Sequence, residues 1–305
     1  MSDDQSAAQW FNNDAGKADA TEALATAPPE ARFPRGTALP KQSPLYWVAE
    51  KDRYLRQLMI ADIEAITGRS LVTYFTDCDL ADDAAQIAAT DDAYLGEVLK
   101  SVAGRPVDLL LETNGGYTDA TEKIVALLRV CAPDLRVIVP RRAKSNGTLI
   151  ALAAQEIVMG ALSELGPIDP NIPIGPGQSV PCQFVLQTPN VDPFLFQVAQ
   201  YAVAQTRKLA TSLLQTGMMT DKVILIEDTV NKLATRDHFH SHGSVIDADE
   251  AAALSLNIRR LDVNDELWQR IWLLRCMYAH DMRQAGLVKI FEGAVLSNSL
   301  KAAVP

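Results

Sequence analysis

The apolar positions of this chain change period repeatedly, and each change marks an element. Leu45, Val48, Leu55, Leu58, Met59, Ile63 and Ile66 recur at helical spacing, which predicts a helix over residues 45–66 stopped at Gly68. Residues 71–75 are a short strand, and 82–102 return to a helical pattern with Asp91 and Asp92 marking a break. The apolar run 107–112 leads through Thr113, Asn114, Gly115 and Gly116 into a predicted helix over 117–130. A second such unit follows: strand 135–139, Pro140, a polar turn, then a buried helix over 148–154. Residues 157–159 are another short strand, and 167–181 are a loop heavy in Pro and Gly. Long amphipathic helices are predicted at 194–215 and 221–234, and shorter elements at 247–254, 257–261, 268–282 and 288–291. Alternating strand and helix predict an α/β domain with a mainly parallel sheet and flanking helices, spanning residues 41–291. Residues 1–40 have no sustained apolar period and are expected to be a disordered or loosely attached arm, and 292–305 a tail.

The two polar turns fall at the carboxyl ends of their strands, the edge where open α/β sheets bind ligands. Paired glycines at 115 and 116 let the backbone approach a ligand and aim N–H groups at it. Ser145, followed by Asn146 and Gly147, stands at the positive end of the next helix. A serine there commonly caps the helix, and the local signal by itself favours that role. The neighbouring glycine turn changes the weighting, because a hydroxyl beside oxyanion donors is what acyl transfer needs.

Composition narrows the alternatives. Across 305 residues, 48% are hydrophobic and 22% charged, and the formal charge is −10, which argues against binding to phosphate backbones. No apolar run is long enough to span a bilayer, and the N-terminus lacks the basic start and apolar core of a secretory signal. Cys78, Cys131, Cys182 and Cys276 are scattered, so reduced thiols and a cytoplasmic protein are expected. No Gly-x-Gly-x-x-Gly fingerprint is present, and no cofactor is expected.

Four segments together resemble the serine dehydrogenase proteinase family of the ClpP/crotonase superfamily: Leu-Glu-Thr-Asn-Gly-Gly at 111–116, Val-Ile-Val-Pro at 137–140, Lys-Ser-Asn-Gly-Thr-Leu-Ile-Ala-Leu-Ala-Ala-Gln-Glu-Ile-Val-Met at 144–159, and Leu-Gly-Pro-Ile-Asp-Pro at 165–170. The match runs over residues 46–291 and is densest between 107 and 171. The resemblance implies a ClpP/crotonase-like fold, a peptide or protein substrate, Ser145 as nucleophile, and oxyanion donors from Gly115 or Gly116 and Asn146. It also implies a homo-oligomer assembled through the helices after the central sheet. Two departures stand out. Relatives are often membrane-anchored, and they usually carry His-Thr-Pro-Gly-Gly where this chain has Glu112, Thr113, Asn114, Gly115 and Gly116.

Three residues are candidates for the base. Asp169 lies near the place of the ClpP-type histidine, and no histidine occurs between Ser145 and His238. Related peptidases use a lysine further along, and Lys208 is the first after Ser145, beside the stripe of Phe194, Val198 and Tyr201. Burial against that stripe would lower its pKa, as a lysine base requires. His238, His240 and His242 alternate, so an extended segment would place them on one face, for a metal or to deliver one histidine to Ser145. The family often has Ser-His-Gly here, matching Ser241, His242 and Gly243. No carboxylate or cysteine stands at a recognised ligand spacing, so no metal is expected. Lys144, next to Ser145, is expected to point away. The chain is thus expected to be a serine hydrolase, most simply a peptidase, with a catalytically inactive crotonase-fold partner-binding or assembly protein as the alternative.

Overall fold

The computed structural model describes residues 44–80, 83–175 and 178–302. The expected arm at 1–40 lies outside them. A seven-stranded sheet organises the domain. It contains β1 (Ser70–Thr76), β2 (Val107–Glu112), β3 (Leu135–Val139), β5 (Glu156–Met159), β9 (Ile258–Arg260), β10 (Leu287–Gly293) and β11 (Ser297–Lys301), in the order β11-β10-β1-β2-β3-β5-β9. The five strands from β1 to β9 run parallel, while β10 and β11 close the other edge antiparallel. Residues 297–301, expected in a tail, therefore belong to the sheet.

Helices cover both faces, which is why β1 and β2 are buried along their whole length. On one face α2 (Lys51–Thr67), which follows the short α1 (Pro44–Ala49), packs against α10 (Glu266–Ala285), with Met59, Ile60, Ile271 and Leu274 buried. Gly68 ends α2 and Gly286 ends α10, both in the left-handed region that a glycine stop supplies. The other face carries α3 (Asp91–Lys100), α4 (Thr118–Cys131) and α5 (Asn146–Ala151), whose Leu95, Ile124, Leu128 and Ile150 join the main core. The break anticipated near Asp91 is real: a 3₁₀ turn at Asp83–Ala85 precedes α3.

The charges buried inside this sandwich are paired. Asp108 on β2 takes Arg69 at 2.6 Å and Arg136 at 2.6 Å, and Lys289 on β10 sits 2.8 Å from Asp91. Removing one member of such a pair strands its partner away from water.

The Pro- and Gly-rich stretch is more ordered than a loop. β7 (Asn171–Gly175) and β8 (Gln178–Pro181) form an antiparallel hairpin, and α6 (Cys182–Gln187) follows directly. α6 packs on α7 (Pro193–Thr216), building a small second core from Ile172, Cys182, Val185 and Ala199. α7 also packs on α8 (Val223–Ala234), and α9 (Ala248–Ala253) leads into β9. Two short strands, β4 (Arg142–Ala143) and β6 (Glu164–Leu165), pair in parallel near the ends of β2 and β3. Among the described residues no helix is long and apolar enough to cross a membrane.

Candidate active site

The turn after β3 carries a non-glycine residue in a rare conformation. Ser145 has φ 52° and ψ −119°, a combination that costs an L-residue on the order of 1–3 kcal/mol. It occupies the N-cap position of α5, yet its side chain caps nothing, so the helix-cap role favoured by the local signal is not the one adopted. The surrounding bonds enforce the strain. Gly147 N–H donates to Lys144 O at 2.7 Å, Lys144 N–H to Thr113 O at 3.0 Å, and Thr113 N–H to Arg142 O at 3.0 Å. Thr148 Oγ1, buried in the first turn of α5, lies 2.7 Å from Ala143 O and accepts from Gly166 N–H at 3.0 Å.

The glycine turn lies against this one. A β-carbon on Gly115 would sit 2.9 Å from both Lys144 O and Ser145 Cβ, so only glycine permits the approach. Ile87 grips the turn from the other side: its N–H donates to Gly115 O at 2.8 Å and its carbonyl accepts from Tyr117 N–H at 3.0 Å. Because the peptide is planar and trans, fixing Gly115 O toward Ile87 directs Gly116 N–H away from it. No acceptor among the described residues takes the N–H of Gly116 or of Asn146, the first residue of α5. The N–H of Gly115, by contrast, is held by Thr113 Oγ1 at 3.1 Å. The Asn146 side chain donates to Gly116 O at 2.6 Å and ties the two turns together.

The departures from the usual turn sequence have their own partners. Glu112 projects to Arg275 of α10, with Oε1 2.6 Å from Nη2. Burial pushes its carboxyl above the usual range and the Arg275 guanidinium opposes that. Asn114 donates to Cys78 O at 2.7 Å, so a side-chain hydrogen bond restrains the turn.

Ser145, Gly116, Asn146 and His242 line one cavity of about 550 Å³, to which Thr206 and Asn171 also contribute. His242 Nδ1 lies 2.7 Å from Asp169 Oδ1, and Asp169 is only 2% exposed. This pair is joined across 73 positions because Leu165 and Ile246 exchange two backbone hydrogen bonds, at 2.9 and 3.1 Å, beside the loops that carry them. With Nδ1 donating to a carboxylate, the other ring nitrogen is the acceptor, which is the tautomer a general base needs.

The remaining candidates fall elsewhere. Lys208 is exposed and is not among the residues lining the cavity. Of the stripe expected to bury it, Phe194 (77% exposed) and Tyr201 (68% exposed) face outward and Val198 packs on the small second core, because α7 packs through Ala199, Thr206, Ala210, Leu213 and Leu214. The histidine segment is turned, not extended, and His238 and His240 are exposed while His242 is half-buried. Among the described residues no cluster of His, Cys, Asp or Glu is arranged to hold a metal. Lys144 does point away from Ser145. Its ammonium lies 3.1 Å from Glu164 and donates to the carbonyls of Ser244 at 2.9 Å and Leu165 at 3.2 Å. Burial draws it below the ordinary lysine range, with Glu164 opposing. Ile87, Thr113 and Arg236, which shape or touch the site, have no signal in local sequence. The cysteines are free: Cys182 is buried, and Cys78, Cys131 and Cys276 are half-buried.

A family profile described as ClpP-like SDH-type serine proteinase matches residues 86–299, more than half of the chain. Uncharacterized protein MJ0137 of Methanocaldococcus jannaschii is 29% identical over 203 residues, covering 63% of this chain and 67% of that one. MJ1495 of the same organism is 43% identical over 75 residues, covering 25% of this chain and 26% of that one. Among solved structures, a mutant of a membrane-bound stomatin-specific protease aligns with 17% identity and a TM-score of 0.41, over 61% of this chain and 79% of that one. A ClpP1 mutant from Listeria monocytogenes aligns with 14% identity and a TM-score of 0.40, over 60% and 90%. The chain belongs to the family of ClpP-like SDH-type serine proteinases.

Proposed function

We propose that the protein is a serine peptidase in which Ser145 is the nucleophile, His242 the base and Asp169 the group that orients it. One observation carries the reading: a buried carboxylate fixes the tautomer of an imidazole that shares a cavity with a strained serine. The Ser145 hydroxyl attacks a peptide carbonyl while its proton passes to His242 Nε2. Nδ1–H stays on Asp169, which stabilises the imidazolium without taking the proton. The oxyanion is met by the N–H groups of Gly116 and Asn146, each donor of this type contributing about 10²–10³ in rate. Collapse breaks the C–N bond, His242 returns the proton to the leaving amine, and water then hydrolyses the acyl-serine by the same steps. The chain order serine, aspartate, histidine is one of several that build this geometry.

A fluorophosphonate probe tests the assignment. Mass spectrometry should find the label on Ser145, with labelling abolished in Ser145→Ala and lowered about a hundredfold or more in His242→Ala. Labelling that survives either change would overturn it. A folded wild-type protein that takes no label would favour the partner-binding alternative. Digestion of a fluorescent casein, lost in Ser145→Ala, separates a peptidase from other acyl hydrolases.

We also propose that copies of this chain assemble. Phe194, Tyr201 and Ile224 (91% exposed) leave apolar surface on α7 and α8 beyond what an isolated chain needs. Light scattering at micromolar concentration should give a multiple of the 33.2 kDa chain mass, and a monomer with full labelling would refute assembly as a requirement.

A further inference from the structure

Both oxygens of the Asp169 carboxylate are engaged, and only one by His242. Oδ1 faces His242 Nδ1 at 2.7 Å, while Oδ2 accepts from Arg236 Nε at 2.8 Å. The carboxylate is 3% exposed and the Arg236 side chain 16%, so the pair is largely shielded from water. A carboxylate serving an imidazole alone would be free to rotate about its χ2 torsion, and its full charge would favour the imidazolium. Here a guanidinium, which does not titrate in the working range, holds the second oxygen in place and opposes part of that charge.

Arg236 is itself held from several directions. Its backbone N–H donates to Gln183 Oε1 at 2.7 Å and its carbonyl faces His240 Nδ1 at 3.0 Å. The guanidinium lies 5.4 Å from the centre of the Phe184 ring, on α6, and its Nη2 approaches Asn171 Oδ1 at 3.5 Å. So much anchoring exceeds what a surface arginine covering an ion pair requires.

We propose that Arg236 is a positioning residue: it fixes the Asp169 carboxylate toward His242 and keeps that imidazole able to accept a proton at lower pH than Asp169 alone would permit. The inference rests on Ser145, His242 and Asp169 acting as assigned above. Other charged or titratable groups surround the pair. Cys182 of α6 lies near Asp169, its thiol pushed up to about 11 by burial and then by the Asp169 charge. Lys144 and Glu164 reach the His242 loop through Ser244 O, Asp83 lines the same cavity, and Asp237 and His240 lie on the loop itself. Among the described residues, Arg236 alone of these donates to the carboxylate that His242 uses.

The test measures the rate of fluorophosphonate labelling at Ser145 from about pH 5 to 9 in full-length wild type, Arg236→Met and Arg236→Lys. Loss of the positive charge in Arg236→Met should move the acid limb upward by about one pH unit and lower the plateau by about three- to tenfold. Arg236→Lys keeps the charge without the planar fork, so the limb should return toward wild type while the plateau stays low. An unmoved limb in folded Arg236→Met, or equal shifts in both variants, would overturn the charge argument. If Arg236→Met does not fold, Arg236→Lys still decides the positioning role, since a full wild-type plateau in it would refute that role. Failure of the underlying site assignment looks different: wild type would not label at Ser145, or His242→Ala would label as fast.

Discussion

Two turns meet at the carboxyl edge of this sheet, built alike and used in opposite ways. Each joins a buried strand to a helix, and the two are stitched by Thr113 N–H to Arg142 O and Lys144 N–H to Thr113 O. The first puts glycines at φ 102° and 159°, where the absence of a side chain removes strain and leaves a backbone N–H open. The second puts a serine at φ 52° and accepts the strain in order to present a hydroxyl. On the proposed assignment one oxyanion donor, Gly116, comes from the relaxed turn, and the nucleophile and the second donor, Asn146, come from the strained one. Under that assignment the difference marks the place where stability is given up for chemistry, which backbone pattern alone does not reveal.

Making the second turn like the first should have the largest effect. Ser145→Gly removes the hydroxyl and the strained β-carbon together, so labelling should vanish while the protein gains about 1 kcal/mol in stability. Thermal unfolding compared with Ser145→Ala, which keeps the strain, isolates the second effect. A glycine variant no more stable than the alanine variant would mean the surrounding bonds, not the serine backbone, set the conformation.

Making the first turn like the second should cost somewhat less. A β-carbon on Gly116 would meet Ile87 N at 2.3 Å and Ile87 O at 2.4 Å, both backbone atoms that cannot swing aside. The turn must shift and its N–H with it, so Gly116→Ala should lower Ser145 labelling by about 10²-fold and stability by about 1–3 kcal/mol. Wild-type labelling in a folded Gly116→Ala protein would remove Gly116 from the oxyanion site.

Much of this arrangement is legible in sequence because it is local. Strands 107–112 and 135–139, the two turns and the glycine stop at Gly68 follow from apolar runs and residue type, and they appear where the pattern puts them. Ser145's refusal to cap its helix is not legible, since it depends on bonds from Thr113 and Gly166 that no window around residue 145 contains. His242 and Asp169 could each be named as candidates, but their pairing depends on the Leu165–Ile246 contact between distant segments. The hairpin β7–β8 was hidden by its prolines, which sit where no ladder hydrogen bond from their nitrogen is needed.

The smallest effect is expected outside both turns, at Lys208. Two residues along a helix turn the side chain by about 200°, so Thr206 and Lys208 point to opposite sides of α7. Thr206 is 3% exposed and lines the cavity, which sends Lys208 to the outer face, seven residues on from exposed Tyr201. On that face the amine is turned away from the cavity that Ser145 lines. Lys208→Met retains the length and apolar stem while deleting the amine, and labelling of Ser145 should stay within about twofold of wild type across the pH range. A hundredfold loss with the fold and assembly intact would instead place the base on α7, reached from a neighbouring copy of the chain, and would leave His242 and Asp169 a structural pair.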